Sequence, residues 1–264
     1  YSWENIGAMV NRGVEISIDG DIVRTKDFTW NVNANVSYNK NKLVELYNGV
    51  QEYVNSTTGL KFVVGRPVHE FFMNRYAGVN PANGDALWYT KDGELTPAFR
   101  AEDKVMTGKT FDSPWAGGFG TTFAWKGLSL SAQFSWMADR YVMNNDRFFE
   151  ESNGLYSAYN QSKRLLYDRW KKPGDLTDIP RYGVVAQLDD RFLENASFLR
   201  LKNVLPQPIL KKTNFFTSAR IYLQGQNLLT FTGFNGLDPE VASNIYRAQY
   251  PASRQYTLGV EVSF

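Results

Sequence analysis

Trp115-Ala-Gly-Gly-Phe-Gly-Thr-Thr-Phe-Ala-Trp125-Lys-Gly-Leu-Ser-Leu-Ser-Ala-Gln-Phe-Ser-Trp136 is the stretch that decides the fold. Side chains alternate across an extended strand, so Trp115, Gly117, Phe119, Thr121, Phe123 and Trp125 share one face. Ala116, Gly118, Gly120, Thr122 and Ala124 share the other. Lys126-Gly127 turns the chain, after which Leu128, Leu130, Ala132, Phe134 and Trp136 alternate with Ser129, Ser131, Gln133 and Ser135. Trp115 and Trp125 are ten residues apart on one face. At about 3.3 Å per residue and a tilt near 40°, they stand roughly 25 Å apart along a barrel axis, the height of the apolar band between aromatic girdles. A soluble sandwich has no reason to place Trp at both ends of one face at that spacing. The hairpin therefore reads as membrane-spanning, with one face to lipid and one to a polar lumen.

The same alternation recurs outward from this hairpin. Phe28, Trp30, Val32, Ala34, Val36 and Tyr38 oppose Thr29, Asn31, Asn33, Asn35, Ser37 and Asn39. Eleven residues in unbroken register suit a spanning strand and exceed the usual soluble strand of about five or six. Inward-facing Asn31, Asn33 and Asn35 suit a hydrated lumen, facing either a passing solute or a plug, and would be hard to satisfy in a dry core. Val14, Ile16, Ile18 and Ile22 alternate with Glu15, Ser17, Asp19 and Asp21. Ala219, Ile221, Leu223 and Gly225 alternate with Arg220, Tyr222, Gln224 and Gln226. At the end of the chain Tyr256, Leu258, Val260, Val262 and Phe264 form one face, and Gln255, Thr257, Gly259, Glu261 and Ser263 the other.

Composition agrees with this reading. Among 264 residues there are 7 Trp, 15 Tyr and 18 Phe, an aromatic share of 15% that suits interface girdles, sugar-binding surfaces or both. There is no Cys, which excludes a disulfide framework and thiolate metal sites. A net charge of +2 with no Lys/Arg-rich run gives no basis for nucleic-acid binding. No stretch approaches the roughly 18 apolar residues of a transmembrane helix, which barrel strands do not need. The chain begins at Tyr1 without an initiator Met, as expected of a mature form or a fragment.

Further short strands are expected near Glu70–Val79 and Ala86–Thr90, and a weakly alternating one over Phe198–Val204. The total is about nine. Residues 41–67, 91–114, 143–196 and 232–254 read as long connections, and 25–27, 80–85, 126–127 and 205–216 as short ones. The stretch 143–195 reads as an extracellular excursion with a short helix within Arg147–Trp170, closed by Pro173-Gly174. Short turns alternating with long loops is the rhythm of outer-membrane barrels, with the C-terminus in the periplasm. Nine open strands would leave unpaired edges in a membrane, so partner strands are expected N-terminal to this chain.

Several stretches resemble one family, the SusC/RagA-type TonB-dependent outer-membrane transporters. They are Asn5-Ile-Gly-Ala-Met-Val-Asn-Arg-Gly-Val-Glu15, Arg24–Trp30, Tyr38–Lys42, Tyr76-Ala-Gly-Val-Asn-Pro81 with Gly84-Asp85, and Asp168-Arg169-Trp170 with Thr177-Asp-Ile-Pro-Arg181. The strongest are Ala196-Ser-Phe-Leu-Arg-Leu-Lys-Asn-Val204, Gly225-Gln-Asn-Leu228 and Asp238-Pro-Glu240, and Pro251–Phe264 resembles the family's ending. The resemblance implies an all-β fold, a transmembrane antiparallel β-barrel of 22 strands of which residues 1–264 supply the last nine or so. The plug domain and the TonB-contacting box lie outside the chain. It further implies a Gram-negative outer-membrane location and TonB-coupled import of oligosaccharides or oligopeptides, with a SusD-like surface lipoprotein as lid. The terminal strand, Tyr256, Leu258, Val260, Val262 and Phe264, resembles the barrel-assembly signal. In the family a strand continues past Leu-Lys-Asn-Val. Here Leu205-Pro206 follows Val204 directly, which predicts a strand too short to span or residues absent between Val204 and Leu205.

No catalytic constellation stands out, and no cofactor or metal is called for. His69 is the only His and reads as structural. Glu150-Glu151 and Asp189-Asp190 read as solvated charges, and Asn80–Asp85 as a plain turn rather than a calcium loop. Candidate substrate contacts are loop aromatics and Arg: Trp88, Tyr89, Phe148, Tyr156, Tyr159, Arg169 and Trp170, whose rings and guanidinium suit sugars or peptide groups. Packing within the loops or against the lid is the competing role. Trp30, Trp115, Trp125 and Trp136 are the expected lipid-facing girdle. The alternative function is a secreted β-sandwich glycan-binding module, whose apolar strand faces would meet in a dry core.

Overall fold

The computed structural model describes residues 7–54, 60–210 and 218–263. Seven long strands form one antiparallel sheet: β1 (Gly7–Arg24), β2 (Phe28–Leu46), β3 (Trp115–Trp125), β4 (Leu128–Ala138), β5 (Phe198–Leu210), β6 (Ser218–Thr232) and β7 (Gln255–Ser263). Each pairs only with its neighbours in sequence, so the sheet is an up-and-down meander. Lys126 (φ 46) and Gly127 (φ 89) are both left-handed, the requirement of a two-residue type I′ hairpin, and this sets Trp125 opposite Leu128. Residues 25–27 close the first hairpin, where Thr25 N donates to Phe28 O.

Register places one apolar face across the whole sheet. Ile16 pairs with Val36, Val36 with Gly117, Gly117 with Trp136 and Trp136 with Leu199. Leu223 pairs with Leu258 and Ile221 with Val260 at the far side. A Cβ on Gly117 would stand 2.3 Å from Asn35 O and 3.0 Å from Trp136 Cζ2, so only glycine lets that indole lie across β3. Large apolar side chains on this face are exposed, among them Ile18 at 63%, Trp125 at 53% and Leu258 at 73%. Nothing among the described residues packs over it. A sandwich would bury such a face against a second sheet, and none lies over it among the described residues.

Aromatics concentrate at both ends of the face. Tyr38 meets Trp115 at 4.6 Å at one end. At the other, Trp30 stacks on Phe123 at 5.6 Å, with Phe28 and Trp125 directly paired beside them. Among the expected girdle, Trp115 and Trp125 are exposed, whereas Trp30 and Trp136 are half-buried. Tyr256, Leu258, Val260 and Val262 share the exposed face of β7; Phe264 lies outside the described residues.

Several sequence expectations change. The strands near 70–79 and 86–90 do not join the sheet. They are the short segments Glu70–Met73, Arg75–Val79 and Ala86–Tyr89, far below the roughly nine residues needed to span, and pair with Val105–Thr110 and Leu95–Thr96. Asn80–Asp85 is thus a turn inside an excursion. Among the described residues the sheet holds seven strands, not about nine. β2 does not stop at Asn39 but runs to Leu46, with Asn41 Nδ2 donating to Asn11 Oδ1 at 2.8 Å. The stretch read as loop 41–67 also holds a small hairpin of Glu52–Val54 and Lys61–Val63; its Asn55–Gly59 portion lies outside the described residues. Finally, β5 runs unbroken through Val204-Leu205 for 13 residues, with Val204 opposite Ala132 and Leu205 opposite Ser131. Pro206 and Pro208 have no N–H to give, and the β5–β6 ladder lapses between Val204 and Ile209 while β4 holds the strand.

The connections keep their rhythm. Residues 25–27, 126–127 and 211–217 are short, the last outside the described residues, as are residues 1–6, where the Asn5 motif begins. Residues 47–114, 139–197 and 233–254 are long and leave from the other end. They carry their own core: Phe71, Met73, Met143, Phe192 and Leu193 in one cluster, and Val142, Ala196, Phe234, Val241 and Tyr246 in a second, with Phe111 against both. Two short helices, α1 (Asn145–Glu150) and α2 (Arg164–Tyr167), stand where a helix was expected. Asn144 caps α1 by accepting from Arg147 N.

Candidate functional site

The sheet's second face is polar because the same alternation that turns Phe and Trp outward turns Asn, Ser, Thr and Gln the other way. Asn33 pairs with Asp19 and Gly120, Asn35 with Ser17 and Gly118, and Thr122 with Ser131, whose hydroxyls lie 3.0 Å apart. Asn31 donates to Asp21 Oδ1 at 3.2 Å, and Asn35 Oδ1 accepts from Gly118 N at 3.0 Å. The three expected lumen-facing Asn therefore share one hydrogen-bonding surface.

At the end of this face from which the long excursions leave lies a cleft of about 550 Å³. Asn39, Asn41, Ala116 and Met137 of the sheet form one side. His69, Phe111, Asp112, Arg140 and Val241 of the excursions form the other. His69 Nδ1 is 2.9 Å from Asp112 Oδ2, with both side chains partly exposed. Arg140 is buried. It donates to Pro239 O at 3.1 Å and to Val241 O, and its guanidinium lies 4.5 Å from the Phe111 ring centre. Burial pulls its pKa below the ordinary guanidinium value, although Glu240 and Asp112 oppose the shift. The cleft can hold a polar chain by hydrogen bonds and ring contacts.

The seven loop residues expected to touch substrate fall in three places. Phe148, Tyr156 and Tyr159 come together with Phe149. Phe149 and Tyr156 are 4.6 Å apart, Phe148 backs onto buried Phe192, and Tyr159 is 62% exposed. Arg169 lies elsewhere, its guanidinium 5.3 Å from the ring of exposed Tyr182 and Nη1 3.3 Å from Asn153 Oδ1. Trp170 packs on Gly84, donates to Pro81 O at 3.2 Å and leaves no room for a Cβ at that glycine. Trp88 is 5% exposed and is corrected to a structural residue: it packs edge-on to Tyr76 and Phe99 and has no free ring face. Its neighbour Tyr89 is exposed, with the Arg75 guanidinium 5.3 Å from its ring.

Two charge pairs read as solvated prove partly buried. Asp189 is wholly buried. Its Oδ2 accepts from Trp88 Nε1 at 2.8 Å and its Oδ1 from Arg191 N at 3.1 Å. Desolvation pushes its pKa up to about 6, against the opposing pull of Arg191. Asp190 accepts from Tyr76 N at 2.7 Å. Burial raises the Tyr76 phenol well above its usual value, and its hydroxyl donates to Asp178 O. Glu151 is 3% exposed between Arg147 (3.1 Å) and Arg164 (2.7 Å); Glu150 is exposed. Arg164 also binds Asp178 at 2.8 Å. Burial works against the Arg164 charge, but Asp178 and Glu151 outweigh it and hold its pKa above the ordinary guanidinium value. Burial likewise opposes the Asp178 charge, yet the bonds from Arg164 keep its pKa low. Arg147, Glu151, Arg164, Asn235 and Tyr246 border a second cleft of about 690 Å³.

Sequence reading missed these partners because they are far apart in the chain. One signal was present. Arg200, buried in β5, binds Asp238 and, at 3.0 Å, Glu240, so two of the strongest motif stretches meet as ion pairs. The same holds for Gly84-Asp85 and Thr177–Arg181, where Arg181 Nε is 2.9 Å from Asp85 Oδ1. Among the described residues no group of three His, Cys, Asp or Glu is placed to hold a metal ion.

No protein-family model matches the chain. TonB-dependent receptor P3 of Formosa agariphila is 29% identical over 304 residues, covering 99% of this chain and 29% of the relative. TonB-dependent receptor SusC of Bacteroides thetaiotaomicron is 26% identical over 295 residues, covering 99% and 27%. The solved RagAB peptide transporter superposes with a TM-score of 0.93 at 37% identity, over 99% of this chain and 30% of that one. The RagAB peptide importer in its "open-open" state gives 0.92 at 38% identity. The chain spans less than a third of the length of the curated relatives it matches.

Proposed function

Because the chain belongs to the SusC/RagA-type TonB-dependent outer-membrane transporters, we propose that it forms the C-terminal part of such a barrel and serves the import of oligopeptides or oligosaccharides. The single observation that carries this reading is the two-faced meander: one exposed apolar face ringed by aromatics and one hydrogen-bonding face, continuous over seven strands. The apolar face, with Trp30, Trp115, Trp125 and Trp136, meets lipid, and the polar face lines the lumen. The likeness to proteins described as peptide importers makes oligopeptides the first class to test.

In this reading the plug, the remaining strands and the TonB-contacting box belong to the rest of the polypeptide. TonB and the inner-membrane proton gradient drive uptake. The packed excursions form the outer mouth, over which a SusD-like lipoprotein sits as lid. Tyr89, Tyr156, Tyr159 and Arg169 keep accessible surface and are the side chains proposed to touch solute or lid. Trp88, Phe148 and Trp170 support them from behind. The terminal strand through Phe264 is proposed to act in barrel assembly.

The test is uptake of labelled oligopeptide and oligosaccharide pools by cells with the full-length gene intact, deleted, or intact with TonB inactivated. Loss of uptake of one pool in both the deletion and the TonB-deficient strain supports the reading. Uptake unchanged in the deletion strain, or independent of TonB, contradicts it.

A further inference from the structure

β1 and β2 run well past the aromatic ring at Tyr38 and Trp115, toward the end from which the long excursions leave. In the ladder Val14 pairs with Tyr38, Arg12 with Lys40 and Val10 with Lys42. Period-two alternation puts Arg12, Lys40 and Lys42 on the same outward face as Val14, Ile16, Val36 and Tyr38. The first cations therefore stand one ladder step, roughly 6–7 Å of strand, beyond the girdle.

Arg12 and Lys40 lie directly opposite each other, an arrangement that is unfavourable for like charges. All three side chains are exposed, and none makes an ion pair among the described residues. The next carboxylate on that face, Glu45 opposite Ala8, stands further out and is not paired with them. The turn end differs: Arg24 is bound by Asp21 at 3.3 Å, and Lys126 lies over the Trp125 ring. An unneutralised cation cluster on an apolar face, just beyond an interface girdle, is matched by an anion held at headgroup level.

We infer that Arg12, Lys40 and Lys42 form a binding site for the phosphorylated headgroup of an outer-leaflet lipid. Its acyl chains would lie along Val14, Ile16 and Val36. The inference rests on the reading that this face meets the membrane. It adds a lipid site distinct from the solute path on the opposite face.

The test uses the full-length transporter in phosphatidylcholine nanodiscs containing bis-phosphorylated lipid A, enzymatically dephosphorylated lipid A, or neither, with retained lipid counted by native mass spectrometry. Wild type is expected to retain the phosphorylated form selectively. The variant R12Q/K40Q/K42Q is expected to retain roughly a hundredfold less, while R12K/K40R/K42R, which preserves charge, retains it as wild type does. Excess inorganic phosphate is expected not to displace it. Equal retention by wild type and the Gln variant, equal retention of dephosphorylated lipid A, or full displacement by inorganic phosphate would each overturn the assignment. A spin label at Phe119→Cys in the same discs separates the two readings. If the label is oxygen-accessible and lipid selectivity is absent, the site alone fails; if the label lies in water, the membrane reading fails first.

Discussion

Trp88 Nε1 donates to Asp189 Oδ2 at 2.8 Å across 101 residues of chain, and this bond joins the 47–114 excursion to the 139–197 excursion. Both groups are buried. Replacing Trp88 by Phe keeps an aromatic ring but removes the pyrrole part of the indole and strips a buried carboxylate of its side-chain donor, a loss of about 1–3 kcal/mol for the bond, added to the packing lost. Hydrogen exchange over Ala86–Tyr89 and 189–192 in the full-length protein should speed together in W88F. Exchange that speeds in only one of the two segments would mean that this bond does not couple them.

The same carboxylate makes the packing of these two excursions pH-sensitive. Its folded pKa, pushed to about 6, is above its ordinary value of about 3.9, so the native state holds the proton more tightly than the unfolded one. The sign follows: this group's contribution is most favourable below about pH 4, is lost as pH rises through 6, and is flat above that. The swing is on the order of 3 kcal/mol. Asp178, whose pKa is lowered, works the other way and weakens the excursions' packing only when pH falls below the usual carboxylate range. Local protection of Ala86–Tyr89, corrected for intrinsic exchange, should increase from pH 7 to pH 5 in wild type and stay level in D189N.

How much of this was legible in the sequence depends on where the alternation is enforced. Between the two aromatic girdles every residue of β3 faces either an apolar or a polar surrounding, and the sequence from Trp115 to Trp125 records that choice at each step. Beyond the girdle β2 packs against the excursions, where Leu43 and Leu46 are buried while Lys42, Val44 and Glu45 stay exposed, so Asn39–Leu46 shows no simple period although the ladder with β1 continues. The excursions were legible as loops but not as a packed unit. Phe71, Phe192 and Tyr246 bury against partners far off in the chain, and no local pattern marks them. Asp189 shows why charged residues mislead: Asp-Asp in a polar stretch reads as surface, and only the placement of Trp88 reveals it as buried.

Arg200 fixes the 233–254 excursion to the wall. The side chain is 3% exposed and holds both Asp238 and Glu240. Removing one partner of such a pair costs about 3–5 kcal/mol, because the other charge stays buried. R200M should release the segment around Asp238–Val241 to fast exchange and limited proteolysis. R200M combined with D238L should recover part of the protection; no recovery would mean that the pair is not what holds the segment.

The two faces of the sheet should respond differently to one substitution. Phe119 is near the middle of the apolar face, opposite Ala34 and Phe134, and Asn33 is on the polar face opposite Gly120. An Arg at mid-membrane on a lipid face costs roughly 2–4 kcal/mol, and on a lumen face far less. F119R should therefore reduce the heat-modifiable, folded fraction in outer-membrane preparations, while N33R should leave it near wild type. Equal losses would remove the distinction between the faces.

The central claim is that one face of this sheet meets lipid and the other water, and single-cysteine accessibility tests it most directly. The chain contains no Cys, so Cys placed at Phe119, Leu258, Asn33 or Thr122 of the full-length protein, with any cysteine outside the chain replaced, reports on one position each. In intact outer membranes a water-soluble maleimide should label the Asn33 and Thr122 positions and spare Phe119 and Leu258. Labelling of the Phe119 and Leu258 positions as fast as the other two would contradict the account.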